Sequence, residues 1–213
     1  MPPHQRRDRQ RADRHRLILA TARQIAETEG WDAVTTRRLA EAIEYSQPVL
    51  YSHFAGKDEI VAAVALDGFA ELTEALRTRS VAGAAAGGQV RGGQVRGDHV
   101  GGGRASESRL GAVARAYLDF AAAHPAVYAA MFTLHTALTF ATPQSPEPLR
   151  DAFGVLRDSL GEGDEDTGDE RDLETRTEVF WAALHGLATL TAGHRLRPAQ
   201  ADERLDLLVA QLA

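Results

Sequence analysis

The sequence predicts an all-α protein of about nine helices, a small N-terminal three-helix domain followed by a larger C-terminal helical bundle. Three observations point there. Strand-like alternation is almost absent. Apolar residues recur at three- and four-residue spacing through most of the chain, the period of a helix with one buried face. Capping and breaking residues fall between those runs: Gly30, Thr35, Ser46, and Pro125 after His124. The chain has 213 residues, 44% apolar and 25% charged, a globular composition.

The first helix is expected over 13–29, with Ile18, Ala22 and Ile25 on one face and Gly30 as its stop. Thr35 and Thr36 suit the start of a short second helix ending near Ile43. Ser46 caps a third, with Pro48 in its first turn, where a missing N–H costs nothing. Lys57-Asp58-Glu59 opens a long fourth helix, expected over 57–79. Residues 83–103 repeat GGQVR twice, are rich in glycine and have no periodic apolar face; they read as a flexible insertion. No GxxxxGK[ST] follows a strand there, so the glycines do not make a phosphate-binding loop. Helices resume over 106–123 and 124–139. The prolines at 143, 146 and 148 mark a loop and a new start. The acidic stretch 161–172 lacks the spacing of a calcium loop and reads as solvated. The last helices are expected over 173–193 and 201–212, the final one presenting Leu205, Leu208 and Leu212.

Composition removes several functions. Without cysteine there is no disulfide scaffold, cysteine-ligated zinc, iron–sulfur cluster or cysteine nucleophile. No metal-ligand spacing appears, and Asp119 and Glu178 are isolated carboxylates. No enzyme, metal or cofactor is expected. No apolar run reaches the roughly 20 residues of a membrane span, and no signal peptide is recognisable, so a cytoplasmic protein is expected.

Charge is unevenly placed. The net charge is −6, yet residues 1–16 hold six Arg against two Asp. Residues 1–61 are net +1, leaving −7 for the rest. A basic arm, expected to be flexible over 1–12, precedes an acidic body, a pattern suited to one end meeting an anion.

Helices two and three, joined by a tight turn, make a helix-turn-helix, in which the second member lies in the major groove of DNA. That member is short, about 47–53, and offers Gln47, Tyr51, Ser52 and His53. Gln bonds adenine edges bidentately; Tyr, Ser and His serve bases or phosphates. Thr36 and Arg37 open the preceding helix, where backbone N–H groups favour a phosphate. Lys57 can reach the backbone as a point charge.

The stretch RLILATARQIAETEGWDAVTTRRLAEAIEYSQPVLYSHFAGKDEIV, 16–61, resembles the DNA-binding domain of the TetR family of transcriptional regulators. The features that carry the likeness are the apolar first helix, Glu29-Gly30 before Trp31, Thr36 at the start of helix two, and LYSHF at 50–54 followed by Lys57-Asp58. The resemblance implies DNA contacts at Thr36, Arg37, Gln47, Tyr51, Ser52, His53 and Lys57, with Tyr45 and Val49 as additions. Leu50 and Phe54 belong to the core. Where the family has Gly-Val in the turn, this chain has Glu44-Tyr45. Glu in a left-handed turn costs on the order of 1 kcal/mol more than Gly, and its charge opposes DNA. The basic arm is expected to compensate, lying along the minor groove.

The domains so implied are the arm at 1–12, the DNA-binding domain at 13–60, and a ligand-binding and dimerisation domain at 61–213. Phe180-Trp181-Ala182-Ala183-Leu184-His185-Gly186 is similar to the TetR subgroup named for Trp, His and Gly. The resemblance implies an inducer site in this half but identifies no ligand; a helical bundle with little polar lining points to a small, mostly apolar effector, with candidate lining residues Phe120, Tyr128, Met131, Phe132, His135, Phe153, Trp181 and His185. It also implies a homodimer through the last two helices, with two reading heads on a palindromic operator. The function expected is a ligand-responsive regulator, a repressor. The alternatives are an activator, or a helical binding module that has lost DNA binding.

Overall fold

The computed structural model describes residues 3–90, 108–161 and 170–212. The described residues form nine α-helices and no strand. In order they are α1 (Pro3–Glu29), a 3-10 turn (Trp31–Ala33), α2 (Thr36–Ala42), α3 (Gln47–Tyr51), α4 (Lys57–Val90), α5 (Arg109–Ala123), α6 (Pro125–Phe132), α7 (Glu147–Leu160), α8 (Glu170–Ala192), a second 3-10 turn (Pro198–Gln200) and α9 (Ala201–Leu212).

Four expectations change. The arm is helical, not flexible: α1 begins at Pro3, where proline's fixed φ suits a first turn, and no glycine or further proline interrupts the helix before Glu29. Helix α4 runs past 79 to Val90, into the first residues of the glycine-rich stretch; the rest of that insertion, 91–103, lies outside the described residues. Most of the acidic loop, 162–169, does too. Helix α6 stops at Phe132 instead of 139. The division of the chain also differs. One compact unit is Met1–Gly68 with His124–Pro146, and the other is Phe69–Ala123 with Glu147–Ala213. Helix α6 therefore belongs with the N-terminal helices.

The first unit is built on one apolar face of α1. Ile18, Ala22, Ile25 and Ala26 are buried against Val34, Leu39 and Leu50, with Phe54, Ile60 and Val64 closing the core. Burying such side chains contributes roughly 1.5–3 kcal/mol each. Thr35 caps α2 by accepting from the Arg38 backbone N–H at 3.1 Å. The α2 end is a Schellman turn: the N–H of Tyr45 donates to Ala40 O at 3.0 Å and that of Glu44 to Glu41 O at 3.3 Å. Glu44 takes the left-handed position, φ 57°.

Helix α6 docks on α1 in the same unit. The Glu27 carboxylate accepts from the N–H groups of Ala126 and Val127 at 3.0 and 3.2 Å, satisfying the α6 N-terminus. Trp31 Nε1 donates to Ala126 O at 2.8 Å. Gly68 permits the packing: a Cβ there would lie 2.5 Å from Val127 Cγ1 and 2.9 Å from Met131 Sδ.

In the second unit α5 is buried along nearly its whole inner face, including Val113, Tyr117 and Phe120, and packs on α7, α8 and α9. Phe180 and Leu184 of α8 and Leu205 and Val209 of α9 are buried. Trp181 Nε1 donates to the Tyr117 hydroxyl at 3.2 Å, so the buried phenol has a partner. The ion pairs Arg77–Asp151 and Arg115–Asp202 lie at the surface and add little.

Candidate nucleic-acid interface

Helix α3 is only five residues long, and its position comes from one anchor. Leu50 is buried, while Gln47, Tyr51 and Ser52 are exposed and Val49 is half-exposed. A five-residue helix is marginal alone, so tertiary packing through Leu50 and Phe54 holds it. The remaining side chains are thereby presented outward on a fixed element.

The sequence-derived residues divide into two groups. The first is Gln47, Tyr51, Arg37 and Tyr45, all exposed, with the half-exposed Thr36. Tyr51 is 52% exposed, which for an aromatic in a small core is a departure that calls for a partner. Its hydroxyl lies 3.4 Å from Thr36 Oγ1, tying α3 to the start of α2. Arg37 is exposed and pairs with Glu41 at 2.9 Å, which raises its already high pKa and keeps it cationic. Tyr45 sits in the turn with the Arg14 guanidinium 5.8 Å from its ring centre.

In the other group Ser52 and Lys57 are already hydrogen-bonded inside the unit, and His53 and Val49 are half-buried. The Ser52 hydroxyl donates to Val49 O at 2.6 Å. Lys57 donates from Nζ to Trp31 O, closing the 3-10 turn. His53 is half-buried, with Nδ1 buried and lacking a hydrogen-bond partner. Burial, then the charges of Arg11, His15 and Arg14, holds its pKa below the ordinary histidine value. Val49 is carried by α3 but is not fully exposed.

How α1 is attached to α3 was not foreseen from the sequence. Arg11 Nη2 donates to Ser52 O at 3.3 Å, and His15 stacks on Phe54 with ring centres 4.5 Å apart. The signal lay in the spacing: Arg7, Arg11 and Arg14 stand at i, i+4 and i+7, continuing the face of Ile18.

The candidate effector residues fall in both units. Tyr128, Met131 and Phe132 belong to α6, with Tyr128 and Phe132 rings 4.8 Å apart. His135 lies beyond α6 and is exposed, because that helix ends early, so it is not on an apolar helix face as expected. Phe120, Phe153, Trp181 and His185 belong to the second unit. Trp181 and His185 share a face of α8, one turn apart, and burial holds the His185 pKa below its ordinary value. Among the described residues no group of three His, Asp or Glu could hold a metal ion.

Comparison with known proteins agrees with this geometry. Residues 18–64 match the family model described as bacterial regulatory proteins, tetR family, and residues 110–212 match that of the tetracyclin repressor-like C-terminal domain. No curated protein matches the chain. Among solved structures, a candidate regulatory protein has TM-score 0.67 at 18% identity, over 100% of this chain and 98% of its own. A protein of unknown function from Rhodococcus sp. RHA1 has TM-score 0.62 at 26% identity, over 93% and 95%. A bacterial regulatory protein in the tetR family from Rhodococcus RHA1 has TM-score 0.54 at 19% identity, over 93% and 96%. At the lower identities the likeness is one of fold. The two family models account for both the helix-turn-helix and the C-terminal bundle, and the chain belongs to the TetR family of transcriptional regulators.

Proposed function

We propose that the protein is a homodimeric repressor that binds a palindromic operator through α3 and is released by a small, mostly apolar effector. The observation that carries this reading is the outward face of α3. Gln47 and Tyr51 stand exposed on a helix fixed by buried Leu50, with Thr36 and Arg37 beside them at the start of α2. Gln47 supplies the bidentate base contact, and Tyr51, Thr36, Arg37 and Tyr45 supply backbone or base contacts. Ser52 and Lys57 act mainly by holding α3 in place, since their polar groups already hydrogen-bond within the unit, and the half-buried His53 and Val49 add packing.

Two-fold symmetry follows from the operator's geometry, because reading heads in successive major grooves stand about 34–36 Å apart. Helices α8 and α9 supply a suitable seam. Val179, Ala182, Gly186 and Leu190 lie on one row of α8, with Val179 55% exposed, and Leu207 of α9 is 60% exposed. The effector acts by preferring the dimer geometry that does not fit the operator spacing, and can shift occupancy only by its differential affinity. Trp181, held by Tyr117, and the neighbouring His185 are the polar groups around which such a ligand would orient. No helix among the described residues is long and apolar enough to cross a membrane, in keeping with a cytoplasmic regulator.

The test is selection of duplexes from a random pool by the purified protein. Enrichment of a palindrome, bound by a dimer and lost with Tyr51→Ala, is the expected result. A folded dimer that enriches nothing would favour a binding module that no longer reads DNA.

A further inference from the structure

We infer that the N-terminal half of α1 is a second DNA-binding element: a rigid basic helix whose Arg7, Arg11 and Arg14 stripe grips the phosphate backbone beside the base pairs read by α3. The inference rests on the reading of α3 as the recognition helix. It replaces the flexible minor-groove arm with a helix of fixed direction.

Three observations carry it. The first is attachment. Arg11 donates to the carbonyl of Ser52, the residue that ends α3, and Arg14 lies over the ring of Tyr45, in the turn that begins it. His15 stacks on Phe54 just below. The stripe is thus fastened at both ends of α3, and a polyanion seated on α3 continues along it. From residue 4 to 14 the helix rises about 15 Å, enough to follow the backbone past several phosphates.

The second observation is what the helix lacks. Residues 4–14 are all exposed, and Ala12 is the only apolar residue among them. A helix with no apolar face cannot dock into a hydrophobic groove or lie in a bilayer surface, both of which require one. Its only strong physical property is charge, six Arg against two Asp over residues 1–16, on a protein that is otherwise acidic. Asp13 is bound to Arg16 on the side away from the stripe.

The third is electrostatic imbalance. Helix α1 has no acidic residue in its first turn, so the positive end of its dipole adds to the arginines' mutual repulsion. An isolated helix so charged is disfavoured. Phosphates along the stripe neutralise both effects, and arginine is the side chain best fitted to hold them. Arg11 uses one guanidinium nitrogen internally and Arg14 lies over the Tyr45 ring, and both keep N–H donors for an anion.

The experiment compares the wild type with Arg7→Gln/Arg11→Gln/Arg14→Gln, and with a deletion of residues 2–10 that leaves the Ser52, Tyr45 and Phe54 contacts intact. Each is titrated by fluorescence anisotropy against the operator selected by the wild type and against an unrelated duplex, over a range of salt. The expected result is a fall of about ten-fold or more on both duplexes, with a log K versus log salt slope shallower by about 0.9 for each phosphate that is no longer neutralised. The ratio between operator and unrelated duplex stays the same. An unchanged slope in both variants overturns the inference and leaves α3 as the reader. Loss of the ratio with an unchanged slope also overturns it, because the arginines then act by positioning α3. A wild type that binds no duplex at all overturns this inference together with the reading on which it rests.

Discussion

The Glu27 carboxylate accepts a hydrogen bond from the backbone N–H of Ala126 at 3.0 Å, across 99 residues of sequence. A second bond from Val127 and the Trp31–Ala126 bond complete the attachment of α6 to α1. The chain enters this segment after Ala123 and leaves it after Pro146, so the piece between α5 and α7 is part of the DNA-binding unit. Glu27→Ala strands two half-buried N–H groups and is expected to cost about 1–3 kcal/mol. Trp31→Phe loses a single bond, and the two effects should be non-additive. Urea unfolding checks this; a Glu27→Ala protein of wild-type stability would refute it.

Glu44 is expected to yield a gain on replacement. It occupies the left-handed position of the α2 Schellman turn at φ 57°. Glu44→Gly removes the Cβ penalty, partly offset by glycine's greater freedom when unfolded, for a net stabilisation of about 1 kcal/mol. That corresponds to roughly 2–4 °C in Tm for a chain of this size. The same change removes a negative charge beside α3, so binding to unrelated duplex should tighten. Differential scanning calorimetry checks the first effect. A lower Tm would mean that the carboxylate has a stabilising partner.

The histidines give a pH dependence of definite sign. His53 and His185 are both held below the ordinary value of about 6.5, His53 by burial and then by its cationic neighbours, His185 by burial. The unfolded chain therefore takes up protons first as pH falls. Stability should be fully present above about pH 6.5 and decline below it, until the folded histidines also titrate. Tm measured from neutral to mildly acidic pH should fall, and His53→Gln with His185→Gln should flatten the fall. An unaltered slope in the double variant would show that other groups control it.

Helix direction, the Thr35 cap and the core were legible because they depend on local rules; Ser46 stands at the N-cap of α3 as expected, but its hydroxyl makes no capping hydrogen bond. The spacing of Ile18, Ala22 and Ile25, the Thr35 cap and the 201–212 helix are all found in place. The α1 start was missed because a polar helix has no apolar period to reveal it. The place of α6 was missed because Glu27 and Ala126 are joined only in three dimensions. Residue type picks out the candidates, but only the folded chain shows that the Lys57 ammonium and the Ser52 hydroxyl already hold hydrogen bonds within the unit, while the side chains of Gln47 and Tyr51 stand exposed. Spacing cannot express that distinction.

If the proposed α8–α9 seam holds the dimer, its disruption yields a monomer. Val179→Asp with Leu207→Asp places charges on two exposed apolar positions that contribute nothing to the buried core. The expected outcome by analytical ultracentrifugation is loss of the dimer with helicity retained, and loss of operator binding with it. A dimer that survives both changes would place the interface elsewhere.

The central claim is that α3 reads bases through Gln47. The most direct measurement repeats the selection from random duplexes with Gln47→Ala. The expected result is a site that keeps its length and symmetry but loses preference at one base pair, at mirrored positions in the two half-sites, with a cost of about 1–3 kcal/mol there. An unchanged preference at every position would contradict the account.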